Sequence, residues 1–163
     1  MLAVAIAISA AAVEYRSIDW EELIPAWWKP GDMLMELQNY ADDDPRAEKV
    51  WQRFIKEWEQ APINRDFIGA SIKLPGYVAP LEWEDNSALK EFLLVPYFGA
   101  CIHVPPPPRN QIIYVKLDKP LREIHSMDVI WVYGKLIAED HDSGSMGASS
   151  YRLIAHKIEP WSE

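Results

Sequence analysis

Ser71 to Leu81 reads SIKLPGYVAPL, a pattern typical of extended rather than helical structure. Apolar residues alternate along it, and the central Pro75-Gly76 pair disfavours a helix. The segment therefore predicts a strand with a bulge or bend at its middle. Such a bend is expected where one long strand contributes to both sides of a small barrel.

Four segments further along the chain also predict strands. Phe92 to Val95 is an apolar run, and Ile112 to Leu117 is rich in β-branched and aromatic residues. Val129 to Ala138 is long and apolar, with Gly134 as the expected site of a bulge. Tyr151 to Ile158 alternates as a half-buried strand does. With the first segment, these make five strands.

The connections between the strands suggest the fold. Leu121 to Ser126 predicts one or two helical turns, and Asp140 to Ser150, which is rich in Gly, Ser and Asp, predicts a mobile loop. Five strands with a helix between the third and fourth are the chain order of the OB-fold, a five-stranded Greek-key barrel. We therefore predict a mainly β protein with an OB-fold-like barrel. Another small β-sandwich or barrel with a packed helix is the alternative.

The residues before the first strand predict helices. Asp44-Pro45 is a strong helix start, because an acidic cap precedes proline at the first helical position. The helix that follows is predicted to carry one apolar stripe that packs in the core, formed by Val50, Trp51, Phe54, Ile55 and Trp58. We expect a helical extension over residues 13–64 and the barrel domain over residues 65–163.

The chain begins with an apolar run over residues 1–12 that predicts an export signal. The run is too short to span a bilayer, which needs about 20 apolar residues. It ends in Ala10-Ala11-Ala12, the small residues that a signal peptidase accepts, although no basic residue precedes it. We expect a signal peptide over residues 1–12 and a periplasmic protein that is soluble after export.

Composition and charge exclude several classes of function. The net charge is −9, which disfavours nucleic acid as a partner because phosphate backbones are repelled. The single cysteine rules out an intramolecular disulfide and a four-cysteine zinc site. The common nucleotide-binding, zinc-protease and serine-hydrolase motifs are absent from the sequence. No enzyme class is indicated, and a non-enzymatic protein is favoured.

Cys101 and His103 form the most distinctive pair of chemical groups. In an extended chain their side chains share one face, with Cα atoms about 7 Å apart. A thiolate and an imidazole placed in this way can bind zinc or copper, or His103 can activate Cys101 as a nucleophile. A single cysteine is also often a small buried apolar residue. Metal ligation, thiol catalysis and structural burial therefore remain open.

The residues around this pair predict a binding surface. The four prolines predict a rigid wall in the polyproline conformation, and the tyrosine predicts a platform for stacking. The arginine and asparagine predict either a contact with an anion or a turn of the chain. The predicted binding residues are Tyr97, Pro105, Pro106, Pro107, Pro108, Arg109 and Asn110.

Glu91 to Val115, EFLLVPYFGACIHVPPPPRNQIIYV, resembles a bacterial family of small exported, lipoprotein-like proteins of unknown function. Ile72 to Glu82, Ile130 to Leu136 and the closing YRLIAHKIEPW support the resemblance. The resemblance implies an OB-like barrel in the periplasm, encoded in some members beside ABC-type export or metal-responsive transport genes. No cysteine lies near the expected cleavage site after Ala12, so lipid anchoring there is not expected.

These observations predict an exported accessory protein that is non-enzymatic, binds zinc or copper through Cys101 and His103, and acts with a membrane transporter. Two alternatives remain. One is a thiol enzyme that uses the same two residues. The other is an OB-type module that binds a peptide or glycan through Tyr97 and neighbouring aromatic residues.

Overall fold

A closed five-stranded barrel dominates the structure, a computed structural model that describes residues 13–41, 43–85, 87–102 and 106–161. The signal peptide expected over residues 1–12 lies outside these ranges. In chain order the elements are β1 (Arg16–Ser17), α1 (Gly31–Leu37), α2 (Pro45–Glu59), β2 (Ser71–Glu84), β3 (Ala88–Val95), β4 (Ile113–Leu121), β5 (Val129–Asp142) and β6 (Ala148–Pro160). Within the described ranges, neither helix has the length and apolar composition needed to cross a bilayer.

The barrel closes in the order β2, β3, β4, β6, β5 and back to β2. β4 and β6 run parallel, with Ile113 opposite Tyr151, and the other four barrel pairs are antiparallel. The short β1 adds to the outer edge of β2 in parallel. The prediction of a mainly β fold with an OB-fold-like five-stranded barrel is confirmed.

β2 is the long strand that contributes to both sides of the barrel. It pairs with β5 from Ser71 to Tyr77 and with β3 from Tyr77 to Glu84. Gly76 lies at the crossing, where a Cβ atom would come within 2.7 Å of Leu94 Cγ. The bulge predicted at Pro75-Gly76 is displaced, because pairing is regular there and irregular between Pro80 and Trp83.

The helix predicted between Leu121 and Ser126 is wrong. Residues 122–128 form bends and turns, and Glu123 and Met127 have positive φ angles of 68° and 67°, which a right-handed helix excludes. Backbone hydrogen bonds join the segment to β2, since Met127 N–H donates to Val78 O and Val78 N–H donates to Asp128 O. These bonds replace those that a helix would make.

The mobile loop predicted over Asp140 to Ser150 is wrong as well. β5 extends to Asp142 and β6 starts at Ala148, so only a tight turn over residues 143–147 remains between them. Ser150 Oγ donates to Asp140 Oδ1 at 2.9 Å across the pair. Gly144 and Gly147 supply the positive φ angles of the turn. The Gly, Ser and Asp content therefore encodes a hairpin turn. The irregularity expected at Gly134 is found between Tyr133 and Gly134, but the extra residue is His156 on the partner strand β6, so the bulge lies opposite Gly134 rather than on β5.

Two apolar clusters hold the barrel together. The first fills its interior and includes Leu74, Phe92, Val132 and Leu153. The second lies on the outer surface and is described with the candidate site. α2 begins as predicted, because Asp44 caps it and accepts a 2.8 Å hydrogen bond from Arg46 N–H. It packs against α1. In its predicted apolar stripe Val50 and Phe54 are buried, whereas Trp51 is 43% exposed, so the prediction that Trp51 is a core residue is wrong.

Candidate functional site

All of the predicted site residues belong to the connection between β3 and β4, residues 96–112, here called the β3–β4 loop. The loop folds back over the outer surface of the barrel, where Ala100 and Cys101 pack on Leu93, Val95 and Tyr114. β3 and β4 are the second and third barrel strands, the face by which OB-folds bind ligands. In this protein the chain's own loop covers part of that face.

Cys101 is part of this outer apolar cluster. It is 6% exposed and has a positive φ of 67°, an uncommon conformation for a residue other than glycine. Burial raises the pKa of its thiol to about 11, so the thiol is protonated at neutral pH. A thiolate, which is the form that attacks substrates or binds metals, is disfavoured in this conformation.

The partner expected for Cys101 does not fall within the described part of the chain. His103 and Pro105 both lie outside it, so the distance between the thiol and the imidazole stays a prediction. Among the described residues, no three His, Cys, Asp or Glu side chains are grouped closely enough to hold a metal ion. Metal ligation by Cys101 and His103 also remains a prediction.

The end of the proline run and the residues after it anchor the loop. Pro107, Pro108 and Asn110 are buried, and Pro106 is half-buried. Asn110 Nδ2 donates to Pro62 O at 2.8 Å. The next side chain, Gln111 Nε2, donates to Trp20 O at 2.8 Å. This anchoring joins the loop to the N-terminal part of the chain, a contact that nothing in the local sequence indicates.

The start of the loop presents apolar side chains to solvent. Tyr97, Phe98 and Ile102 are 44%, 66% and 37% exposed; they are called the apolar tip below. A turn supports them, in which Ala100 N–H donates to Tyr97 O and Ile102 N–H donates to Gly99 O. The ring of Phe98 lies edge-on to that of Tyr77, with centroids 6.0 Å apart. The tip is therefore exposed but held at its base.

Arg109 points away from the tip and lines a cleft of about 1210 Å³. Its Nη2 donates to Asp140 Oδ1 at 2.8 Å, and its Nε is buried without a partner among the described residues. The cleft brings together residues 16–27, residues 60–67 and the end of β5. Sequence analysis did not find this cleft, because its walls are separated by roughly 30 or more residues of chain and share no motif.

The sequence analysis also did not predict that a loop covers part of the outer surface of the barrel, although one sequence pattern indicates it. Residues 92–95, FLLV, are all buried, with Phe92 and Leu94 in the interior cluster and Leu93 and Val95 in the outer one. An unbroken apolar run indicates a strand buried on both faces. Such a strand requires a covering element, which here is the β3–β4 loop.

Comparison with known proteins places the chain in a family. A family model described as "Protein of unknown function (DUF3299)" matches residues 20–160. The crystal structure of a DUF3299 family protein from Pseudomonas aeruginosa PAO1 is similar, with 36% identity and a TM-score of 0.68 over 92% of this chain and 98% of that one.

A second solved structure, of a putative aspartyl-tRNA synthetase from Leishmania major Friedlin, aligns with 97% of this chain and 23% of that one. Its TM-score of 0.40 and identity of 11% are too low to indicate a shared fold or function. None of the curated proteins matches. The match to the family model and the 36% identity both show that the chain belongs to the DUF3299 family, whose function is unknown.

Proposed function

We propose that this protein is a non-enzymatic accessory protein of an exported compartment that docks onto a membrane transporter through its apolar tip. The observation that supports this is the exposure of Tyr97, Phe98 and Ile102 beside Ala100 and Cys101, which pack on the barrel, in a loop whose last residues are hydrogen-bonded to the N-terminal part of the chain. Aromatic side chains are enriched in the cores of protein interfaces and in their energetic hot spots. An anchored loop loses little conformational entropy on binding, which favours affinity.

The state of Cys101 supports a binding role over thiol catalysis. Its thiol is buried beneath the tip, and the raised pKa leaves little thiolate at physiological pH. With Ala100, it fixes the loop to the outer surface of the barrel. Cys101 therefore acts as a structural support for the tip.

The thiol of Cys101 is expected to react slowly in the folded protein. At pH 8 a thiol with a pKa of about 11 is roughly 0.1% thiolate, whereas an unfolded cysteine is about a quarter thiolate. We expect alkylation by iodoacetamide to be at least about tenfold slower in the native protein than in urea, because the greater nucleophilicity of a thiolate with a higher pKa offsets only part of the lower thiolate fraction. Mass spectrometry of timed samples measures both rates, and equal rates would contradict the structural role.

The metal hypothesis has its own test. Untagged protein purified from its natural compartment is analysed for zinc and copper and compared with Cys101→Ser. If Cys101 is structural, metal content is far below one ion per chain and unchanged in the variant. About one zinc or copper per chain, lost in Cys101→Ser, would show instead that Cys101 and His103 form a metal site.

The docking proposal is tested by replacing the tip. In a Tyr97→Ser, Phe98→Ser, Ile102→Ser variant, the fraction of protein that sediments with membranes of the producing cells should fall at least about tenfold, since hot-spot side chains contribute about 2 kcal/mol or more each. Trp51→Ser is the matched control, because Trp51 lies on α2 and is 43% exposed. Equal sedimentation of the tip variant and wild type would contradict the proposal.

A further inference from the structure

The cleft beside Arg109 contains a strand edge without a strand neighbour. β5 pairs with β2 only as far as Lys135, which lies opposite Ser71, although β5 continues to Asp142. One residue further, Leu136 N–H donates to Ala70 O at 3.0 Å and Leu136 O accepts from Gly69 N–H at 2.8 Å. Beyond Leu136, this side of β5 faces the cleft.

Strand geometry determines which backbone groups are available there. Alternate residues of a strand direct their N–H and C=O groups to opposite edges. Leu136 directs both groups away from β6, so Ala138, two residues later, directs its groups to the same side. Ala138 lines the cleft. An N–H and a C=O placed in this way are a template for an added strand.

The charges of the cleft favour a cationic occupant. Five carboxylates line it, from Glu21, Glu22, Asp66, Glu139 and Asp140, against three guanidinium groups. Two of the five, Glu21 and Asp66, form no ion pair with any described residue. The net charge of −9 on the whole chain adds to the attraction for a cation.

An aromatic ring at the cleft provides a second contact for a cation. Trp27 lines the cleft and is 74% exposed, the most exposed large apolar side chain in the described part of the chain. The face of a tryptophan ring attracts Lys and Arg side chains, by about 0.5–2 kcal/mol. Trp27 and the unpaired carboxylates thus favour the same kind of ligand.

We propose that the cleft binds an extended basic peptide segment of a partner protein. The peptide adds its backbone to β5 at Ala138 and places Lys or Arg side chains against Trp27 and beside Glu21 and Asp66. A second copy of this chain is a poor occupant because it carries the same net charge of −9. Residues 1–12 are a poor occupant as well, since they contain no basic side chain.

Defined peptides test this site on the full chain. The probes are fluorescent, capped seven-residue peptides in which Lys alternates with Val, the same peptide N-methylated at alternate residues, and one in which Glu replaces Lys. Fluorescence anisotropy gives the affinities. We expect the Lys peptide to bind at least tenfold more tightly than the other two, because N-methylation removes the backbone donors and Glu reverses the charge.

Two variants and a control assign the binding to the cleft. Trp27→Ala should weaken the binding of the Lys peptide by about threefold to thirtyfold, because the cation–π contact is lost. Ala138→Pro should weaken the binding of the Lys peptide at least tenfold, because proline lacks the N–H that the peptide would contact. The variant should still fold, since proline is tolerated at a free strand edge. Trp51→Ala, an exposed aromatic outside the cleft, should leave affinity unchanged. Equal binding of the Lys and Glu peptides, or of wild type and Trp27→Ala, would overturn the proposal.

Discussion

Gly134→Ala is expected to destabilise the barrel by about 3 kcal/mol or more. Gly134 lies on β5 opposite the irregularity in its pairing with β6. A Cβ atom there would lie 2.9 Å from the carbonyl carbon of Ile154 and 3.1 Å from Ala155 Cα, and closer still to Ile154 O. These are backbone atoms of a paired strand, so the clash cannot be relieved by rotating a side chain.

Urea unfolding followed by tryptophan fluorescence measures this effect. Gly31→Ala is the control, because nothing lies within 4 Å of a Cβ at Gly31 and the residue starts α1. We expect that control to be as stable as wild type or slightly more stable, since alanine favours helices. A Gly134→Ala variant within about 1 kcal/mol of wild type would show that β6 can move away without cost.

Tyr151→Phe is expected to cost about 1–2 kcal/mol, although it removes only one oxygen atom. Tyr151 is fully buried in β6, and its hydroxyl donates to Leu23 O at 2.8 Å and accepts from Asn64 N–H at 2.7 Å. Burial raises the pKa of Tyr151 to about 12, so the hydroxyl is protonated over the physiological range. The variant loses both hydrogen bonds of the hydroxyl, and Asn64 N–H and Leu23 O keep only the 3.2 Å hydrogen bond that they make to each other.

The same substitution at an exposed site is the control for Tyr151→Phe. Tyr97 is 44% exposed, and its hydroxyl bonds to no described side chain or backbone group, so Tyr97→Phe should change stability by less than about 0.5 kcal/mol. Limited proteolysis adds a structural readout. Since Tyr151 joins the barrel to the N-terminal part of the chain, cleavage within residues 24–64 should accelerate only in Tyr151→Phe. Equal unfolding free energies for the two variants would contradict the role of the hydroxyl.

Local patterns were sufficient to predict the strands and the start of α2. Alternating apolar residues in β2 and the Asp44-Pro45 pair act over a few residues, so the sequence shows them directly. The helix predicted before β5 failed for a long-range reason. Val78, more than 40 residues earlier, accepts the hydrogen bond of Met127, and this pairing fixes the connection in a turn.

The candidate site was predictable only in part. The sequence identified the β3–β4 loop as unusual. It could not show that Cys101 is buried or that Phe98 is more exposed than Tyr97, the aromatic residue that was predicted to bind a ligand. Those outcomes depend on the loop folding against the outer surface of the barrel. The cleft could not be predicted at all, because Trp27, Asp66 and Ala138 meet only in the tertiary structure.

The most direct test of the docking proposal is site-specific photo-crosslinking in cells that naturally produce the protein. p-Benzoylphenylalanine is placed at Phe98 in the apolar tip and, as the control, at Trp51 on α2. We predict a light-dependent adduct with a membrane transporter component from position 98 and none from position 51. No adduct from position 98, or the same adducts from both positions, would contradict it.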